Sequence, residues 1–321
     1  MKKTVFTMSV LMALGLSGHA TADDYPSKAV ELVVPAGAGG GTDLSARIFA
    51  KYAQKILKKP VVIVNVGGAG GYNGSRMVYE GKSDGYKIIY THQGIITSYL
   101  TKVAPYSYDG FKPGPTIVMD GTVGLYVSGD SEIKDIKDLI AKAKTNPGKL
   151  KAATEYGAFT YFMFNKLAIE TGAKFNLVDV GGGAAKTSAL LGGYVDVIPK
   201  LYVGTQQYLD SGDFRLLGEP TEVRAENAPN IPTYKEQGVD FTFPAYQFAV
   251  FFNKNTPDSI VEKWDEVARQ VTSNPEYKKD IAKVGFVATF MNSQGTAASY
   301  GTTQKEFSEL VKVGEQVKTE K

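Results

Sequence analysis

The sequence predicts an α/β chain of two lobes with a ligand cleft between them. Three observations predict it. Apolar runs end in glycine-rich turns and give way to stretches with helical spacing. That unit occurs twice near the start and returns in the middle of the chain. A strongly apolar segment then follows the second series, as a strand re-entering the first lobe would.

The first unit is the clearest. Val30 to Val34 is apolar and stops at Pro35, the turn Ala36 to Gly41 follows, and Thr42 stands where an N-cap would, ahead of Leu44, Ile48, Tyr52 and Ile56. The second runs from Val61–Val64 through Asn65–Gly74 into a helix from about Ser75. A third strand over Tyr86–Tyr90 leads to Thr91 and His92. Strands alternating with helices predict a parallel sheet covered on both faces, with ligands beyond the carboxyl ends of its strands. A turn at a helix start also leaves backbone N–H groups at the positive end of the helix dipole, which suits an anion.

Pro105 to Pro115 reads as an ordered connector, and Val123–Val127 as a strand leaving the first lobe. Helices over Asp135–Lys144 and Phe159–Thr171 alternate with strands over Lys151–Thr154 and Asn176–Val180. Gly181-Gly182-Gly183 then opens a helix over Ala184–Leu191. A strand over Val195–Pro199 and a short helix over Tyr202–Leu209 complete the second lobe. Phe241–Phe252 reads as the returning strand, followed by helices near Ser259–Ser273 and Glu276–Lys283, a strand near Phe286–Thr289 and a last helix from about Thr296. The expected division is residues 1–22 as a leader, 23–124 and 244–321 as one lobe, and 125–243 as the other. Two lobes joined by two crossing segments can close on a ligand.

Composition narrows the function. Lys2 and Lys3, the apolar stretch Val5–Leu16 and Ala20-Thr21-Ala22 have the form of a secretory signal cleaved after Ala22, so a periplasmic product is expected. An apolar run of that length is too short to span a bilayer. The absence of cysteine removes disulfides, thiol nucleophiles, cysteine metal sites and a lipid-modified cysteine. The chain has 36 Lys and Arg against 33 Asp and Glu, and loss of Lys2 and Lys3 brings the two nearly level. Such a balance argues against a nucleic-acid partner. Of two histidines, His19 leaves with the leader, so His92 alone remains for chemistry. That argues against a histidine zinc site and leaves little room for a Ser-His-Asp hydrolase. No metal or cofactor is expected.

The first glycine loop fits neither phosphate-binding motif that it approaches. Gly37-Ala38-Gly39-Gly40-Gly41 is followed by Thr42 where a dinucleotide fingerprint needs glycine, and Asn65 stands where the ribose-binding acid is expected. The Gly-Lys-Ser/Thr of a P-loop is missing. Asp43 is a ligand contact or a first-turn carboxylate favoured by the dipole. His92 is a cleft residue or a locally satisfied hydrogen-bonder. Tyr156, Phe159, Tyr161 and Phe162 shape a cleft wall or pack in the core, and Lys200 and Arg224 are expected in solvent.

The order of several short motifs resembles a family. Tyr25-Pro26-Ser27-Lys28, Val33-Val34-Pro35 with Ala38 to Asp43, and Asn65 with Gly68 to Gly71 fall in sequence. Asp84-Gly85-Tyr86, Pro147 to Leu150, Leu191 to Asp196, and Pro232-Thr233 with Glu236-Gln237-Gly238 follow. Together they resemble the periplasmic solute receptors of tripartite tricarboxylate transporters, the Bug-type (TctC-like) proteins, from Tyr25 onward. The resemblance implies a type II periplasmic-binding-protein fold that captures small carboxylates between its lobes and hands them to membrane transporter subunits. It places carboxylate contacts at Ala38, Gly39, Thr42 and Asp43, and at Gly70, Tyr72 and Asn73. Thr91, His92, Gly182 and Tyr202 join these as expected ligand residues, with Tyr156, Phe159 and Tyr161 shaping the distal end.

Departures from the family pattern bear on the ligand. Glu155-Tyr156-Gly157-Ala158 and then Tyr161 replace a Gly-x-Gly-Ser turn and a histidine, Val180-Gly181 replaces a tyrosine–lysine pair, and Val66 replaces an arginine. This wall has lost polar and basic groups, so an aromatic carboxylate or a dicarboxylate is expected rather than citrate. The expected protein is a monomeric receptor and not an enzyme. Its rivals are an exported enzyme using His92 or Asp43 as base and a ligand-sensing module for a signalling partner.

Overall fold

The computed structural model describes residues 25–120, 123–202, 204–225 and 228–319, without the side chains of 120 and 312–319. The leader expected over 1–22 lies outside the described residues. The chain opens with β1 (Val30–Val34), α1 (Gly41–Leu57), β2 (Val61–Asn65), α2 (Tyr72–Tyr79), β3 (Lys87–Thr91), α3 (Gly94–Leu100) and β4 (Phe111–Asp120). A second series follows: β5 (Val123–Ser128), α4 (Ile136–Thr145), β6 (Lys151–Thr154), α5 (Phe159–Thr171), β7 (Asn176–Asp179) and α6 (Gly183–Leu191). It ends with β8 (Val197–Leu201), α7 (Gln206–Asp210) and β9 (Phe214–Leu216). The chain then returns through β10 (Tyr246–Asn253), α8 (Asp258–Ser273), α9 (Pro275–Lys283), β11 (Val287–Met291) and α10 (Ser293–Thr319).

Two sheets result, ordered β11-β4-β10-β3-β1-β2 and β7-β6-β8-β5-β9. β2, β1 and β3 run parallel, as do β7, β6 and β8. Neither sheet is wholly parallel. β10 is antiparallel to both β3 and β4, and β5 is antiparallel to β8 and β9, because the strands nearest the crossings enter against the direction of the strands they join.

Both sheets are covered on both faces. Leu32, Ile88, Tyr90 and Phe248 turn to one side of the first sheet, where Phe49 of α1 and Trp264 of α8 meet them. The alternate residues Val33, Ile89, Ala249 and Phe251 turn to the other side with Tyr300 of α10. Period-two alternation with both faces apolar reads as a continuous apolar run, which is how β1 looked in the sequence. The second sheet divides likewise, Leu125 and Val197 to one face and Tyr126 and Ile198 to the other. Tyr246 and Leu201 touch the first sheet's core and the second's, and Phe307 of α10 is buried in the second.

Some elements differ from expectation. The connector over Pro105–Pro115 is cut short by β4, which starts at Phe111 and carries Pro113 and Pro115. Prolines cannot donate to a ladder, and here the pairing with β10 is broken by register shifts. The strand expected from Phe241 starts at Tyr246; Phe241 and Phe243 are instead buried in the second core. Helix α3 and strand β9 were not anticipated, both being too short for a periodic signal.

A cleft built from helix N-termini

β1 ends at Val34, and its loop turns through Gly39 before α1 begins. Thr42 does not cap this helix. Gly40 occupies the N-cap with extended backbone and offers no side chain, while Thr42 lies inside the first turn. The amides of Gly41, Thr42 and Asp43 therefore have neither a backbone nor a side-chain acceptor among the described residues.

Asp43 shapes the loop from inside. It is 2% exposed. One oxygen accepts from the Gly39 amide at 2.8 Å and Arg47 Nε at 2.9 Å, and the other from Asn65 Nδ2 at 2.9 Å. Burial pushes its carboxyl up, but the bonds from Arg47, Gly39 and Asn65 outweigh burial and hold it below the usual range. Asn65 also donates to the Ala36 carbonyl and accepts from Arg47, so it ties the first glycine loop to the second. Asp43 and Gly39 N–H are thus engaged with each other; Ala38 is exposed at the turn.

In the second loop Gly70 takes a left-handed backbone at φ 60°, and its carbonyl accepts from Ser98 Oγ at 2.9 Å. Exposed Asn73 braces its own loop through Gly67 O, and the Tyr72 ring packs toward Tyr106 at 5.9 Å on the lobe's own core. Buried Thr91 helps line a void of about 10 Å³ with Gly70, Gly71, Ser75, Ile95, Ser98 and Ala104, the order of space one water fills.

The second sheet supplies two more such turns. Asp179 staples them, accepting from the Tyr156 amide and the Gly181 amide at 3.1 Å each. Ala158 and Gly182 hold the N-cap positions of α5 and α6, again without side-chain caps. These turns face those of the first sheet. A Cβ on Gly70 would lie 3.7 Å from Tyr156 O, and one on Gly41 would lie 2.8 Å from Leu201 Cδ1 at the end of β8. Gly157 abuts Thr101 and Val103 in the same way. The carboxyl edges of both sheets therefore meet, with uncapped helix starts on either side.

His92 and Lys186 oppose one another across this seam. His92 Nδ1 accepts from the Gly94 amide at 3.0 Å, which leaves its proton on Nε2. Its ring packs edge-on against Tyr246 at 4.6 Å and Phe159 at 6.1 Å. Burial, with the nearby Lys186 charge, pulls its pKa down to about 3. Lys186, in the first turn of α6, is 5% exposed and donates to Thr160 Oγ1 at 3.2 Å. Burial pulls its pKa down to about 8, against the attraction of Glu155 and Asp179. Lys200, expected in solvent, is partly buried and donates to Thr187 Oγ1. Arg224 is exposed and paired with Glu236.

The aromatic residues separate. Tyr156 is 55% exposed and meets half-buried Tyr161 edge-on at 5.2 Å. Phe159, expected on the distal wall, is fully buried with Phe162, between Phe243, Tyr246 and Phe307, because its position at the helix start turns it into the second core. Gly182 is exposed at the start of α6; Tyr202 is half-buried just before α7. Sequence reasoning missed Lys186 and read this wall as stripped of basic groups. The helical spacing of Lys186 from Gly182 was the available signal.

Comparison with known proteins agrees with this fold. An adipate-bound protein of R. palustris superposes with a TM-score of 0.83 at 24% identity, over 90% of this chain and 98% of that one, which speaks for the fold. The periplasmic binding protein BugD superposes at 0.81 with 27% identity, over 90% and 99%. The UPF0065 protein in gbd 5'region of Cupriavidus necator is 32% identical over 310 residues, 94% of this chain and 93% of its own length. Residues 45–313 match the family described as tripartite tricarboxylate transporter family receptor. With two sheets, a facing pair of glycine-loop edges and that match over most of its length, the chain belongs to the tripartite tricarboxylate transporter receptor family, whose members are periplasmic solute-binding proteins.

Proposed function

We propose that the protein captures a small organic carboxylate between its lobes and delivers it unchanged to a membrane transporter. In this reading residues 23–124 with 244–321 are assigned to one lobe and 125–243 to the other, with Phe307 of α10 reaching into the second core, and the protein works as a monomer without nucleic acid. The observation that carries this reading is the meeting of uncapped helix starts at the seam. Free amides at Gly41 and Thr42 offer a carboxylate both hydrogen bonds and the positive end of the α1 dipole. Gly70, Asn73 and Gly182 border the same space, and Ala38, Gly39 and Asp43 hold the first loop in shape.

The ligand is a dicarboxylate or an aromatic carboxylate rather than citrate. The exposed Tyr156 beside Tyr161 supports the aromatic form, since such faces take flat apolar bodies. A tricarboxylate would need further cationic partners for its third group.

A thermal-shift screen against mono-, di-, tri- and aromatic carboxylates tests this. A ligand that binds only the folded state raises the midpoint by mass action. The expected result is a selective rise with a diacid or aromatic acid that is recovered unchanged. A dominant rise with citrate would overturn the ligand class. Conversion of the acid would make the protein an enzyme, and no rise with any acid would remove the receptor reading.

A further inference from the structure

Lys186 is the most deeply buried lysine among the described residues, and like the partly buried Lys200 it has a threonine hydroxyl but no carboxylate as partner. Lys112 and Lys166, with side chains 27% and 21% exposed, each hold a carboxylate, Asp258 at 2.6 Å and Glu170 at 2.9 Å. Lys186 is more deeply buried, yet no Asp or Glu oxygen among the described residues lies within 4.0 Å of its ammonium. Its one hydrogen bond among the described residues is to the neutral hydroxyl of Thr160, itself bonded to Thr154 Oγ1. An ammonium has three donors, so two have no partner among the described residues at a side chain almost wholly enclosed by protein.

The nearby acids do not fill that role. Asp179 acts on Lys186 only at longer range, and its two oxygens already accept from Tyr156 and Gly181. Glu155 also acts at a distance. Across the seam, His92 presents an Nε2–H with no hydrogen-bond partner among the described residues. The cation on α6 and the neutral donor after β3 are joined through the start of α5, where Phe159 packs against the His92 ring at 6.1 Å and the next residue, Thr160, accepts from Lys186.

We infer that Lys186, oriented by Thr160, is a second anion subsite that takes the far carboxylate of a dicarboxylate whose near carboxylate lies at the start of α1. This rests on the carboxylate-receptor reading above and selects among its ligands. His92 completes the subsite from the first sheet, so the far carboxylate holds both lobes. A monocarboxylate in the same cleft leaves the ammonium as it is here, whereas the far carboxylate supplies its missing partner, and that difference is the source of discrimination.

Calorimetric titration of the purified protein with succinate, glutarate and adipate, each against the monocarboxylate of equal chain length, tests it. At least one diacid binds about tenfold or more tighter than its monoacid. Lys186→Met removes most of that ratio and leaves monoacid affinity within about threefold. Thr160→Val lowers the ratio by a smaller factor. The ratio in the unaltered protein also falls from about pH 7 to about pH 9, as the ammonium facing Glu155, Asp179 and His92, with Lys200 on the neighbouring strand, loses its proton. Equal binding of diacid and monoacid, or a Lys186→Met change that weakens both alike, overturns the subsite while leaving the receptor intact. Failure of every acid to bind the unaltered protein overturns both. If Lys186→Met does not fold, Thr160→Val and the pH dependence decide.

Discussion

Asp43 was expected either as a ligand contact or as a first-turn carboxylate, and its surroundings favour an internal role. Three donors from three segments converge on it: the Gly39 amide, Arg47 and Asn65. A carboxylate so occupied has little left for a solute, but it sets the path of the loop that offers the free amides. Asp43→Ala leaves the Gly39 amide and the Asn65 side chain without their acceptor. It should cost about 2 kcal/mol in a denaturant titration and weaken carboxylate binding about tenfold. Unchanged stability with lost binding would instead make Asp43 a direct contact. The chemistry of this loop was readable in the sequence as a glycine turn followed by a helix. The hydrogen-bond partners were not, because Asn65 arrives from a different strand.

Among the elements, α5 shows how periodicity misleads. Its residues Phe159, Tyr161, Phe162 and Phe164 are aromatic on several sides, so no polar face marks which of them meets the cleft. Packing settles it. Phe162 stacks on Phe307 of α10 at 5.1 Å, Phe159 lies among Phe243, Tyr246 and Phe307, and Tyr161 turns outward to Tyr156. Phe159→Ala should therefore cost about 3–5 kcal/mol of stability, with ligand selectivity unaltered once folded protein is selected. A small stability change with altered selectivity would put the ring back on the cleft wall. Helix α1 carries the opposite lesson. Thr42 looked like a cap, yet Gly40 takes that position, and an uncapped start is what leaves amides for an anion.

For the molecule entire, closure is the property that matters. Gly41 is a close point between the sheets, since a Cβ there would lie 2.8 Å from Leu201 Cδ1 of β8, and within its own lobe 3.2 Å from Phe286 Cζ. A larger side chain at this position presses on Leu201 across the seam and on Phe286 within its own lobe. Gly41→Leu should lower the denaturation midpoint, at a cost of about 1–3 kcal/mol, since Phe286 must give way. It should lower carboxylate affinity at least about tenfold and enlarge the radius of gyration measured by small-angle scattering with saturating ligand. Full affinity with an unchanged radius would show that the Gly41–Leu201 contact has no part in closure.

Local signals alone were enough for the strand–glycine–helix units, the exit and return of the chain, and the ordered motifs that resemble transporter receptors. Each is written in contiguous residues, in apolar runs, turn glycines and helical spacing. The state of Lys186 is not written that way. In the sequence it is one lysine in the first turn of a short helix. Its burial, its bond to Thr160 and its influence on His92 come from three elements separated by dozens of residues. Desolvation and charge are sums over neighbours in space, so the chain had to fold, and its two sheets had to meet, before that lysine became a candidate for reading the ligand.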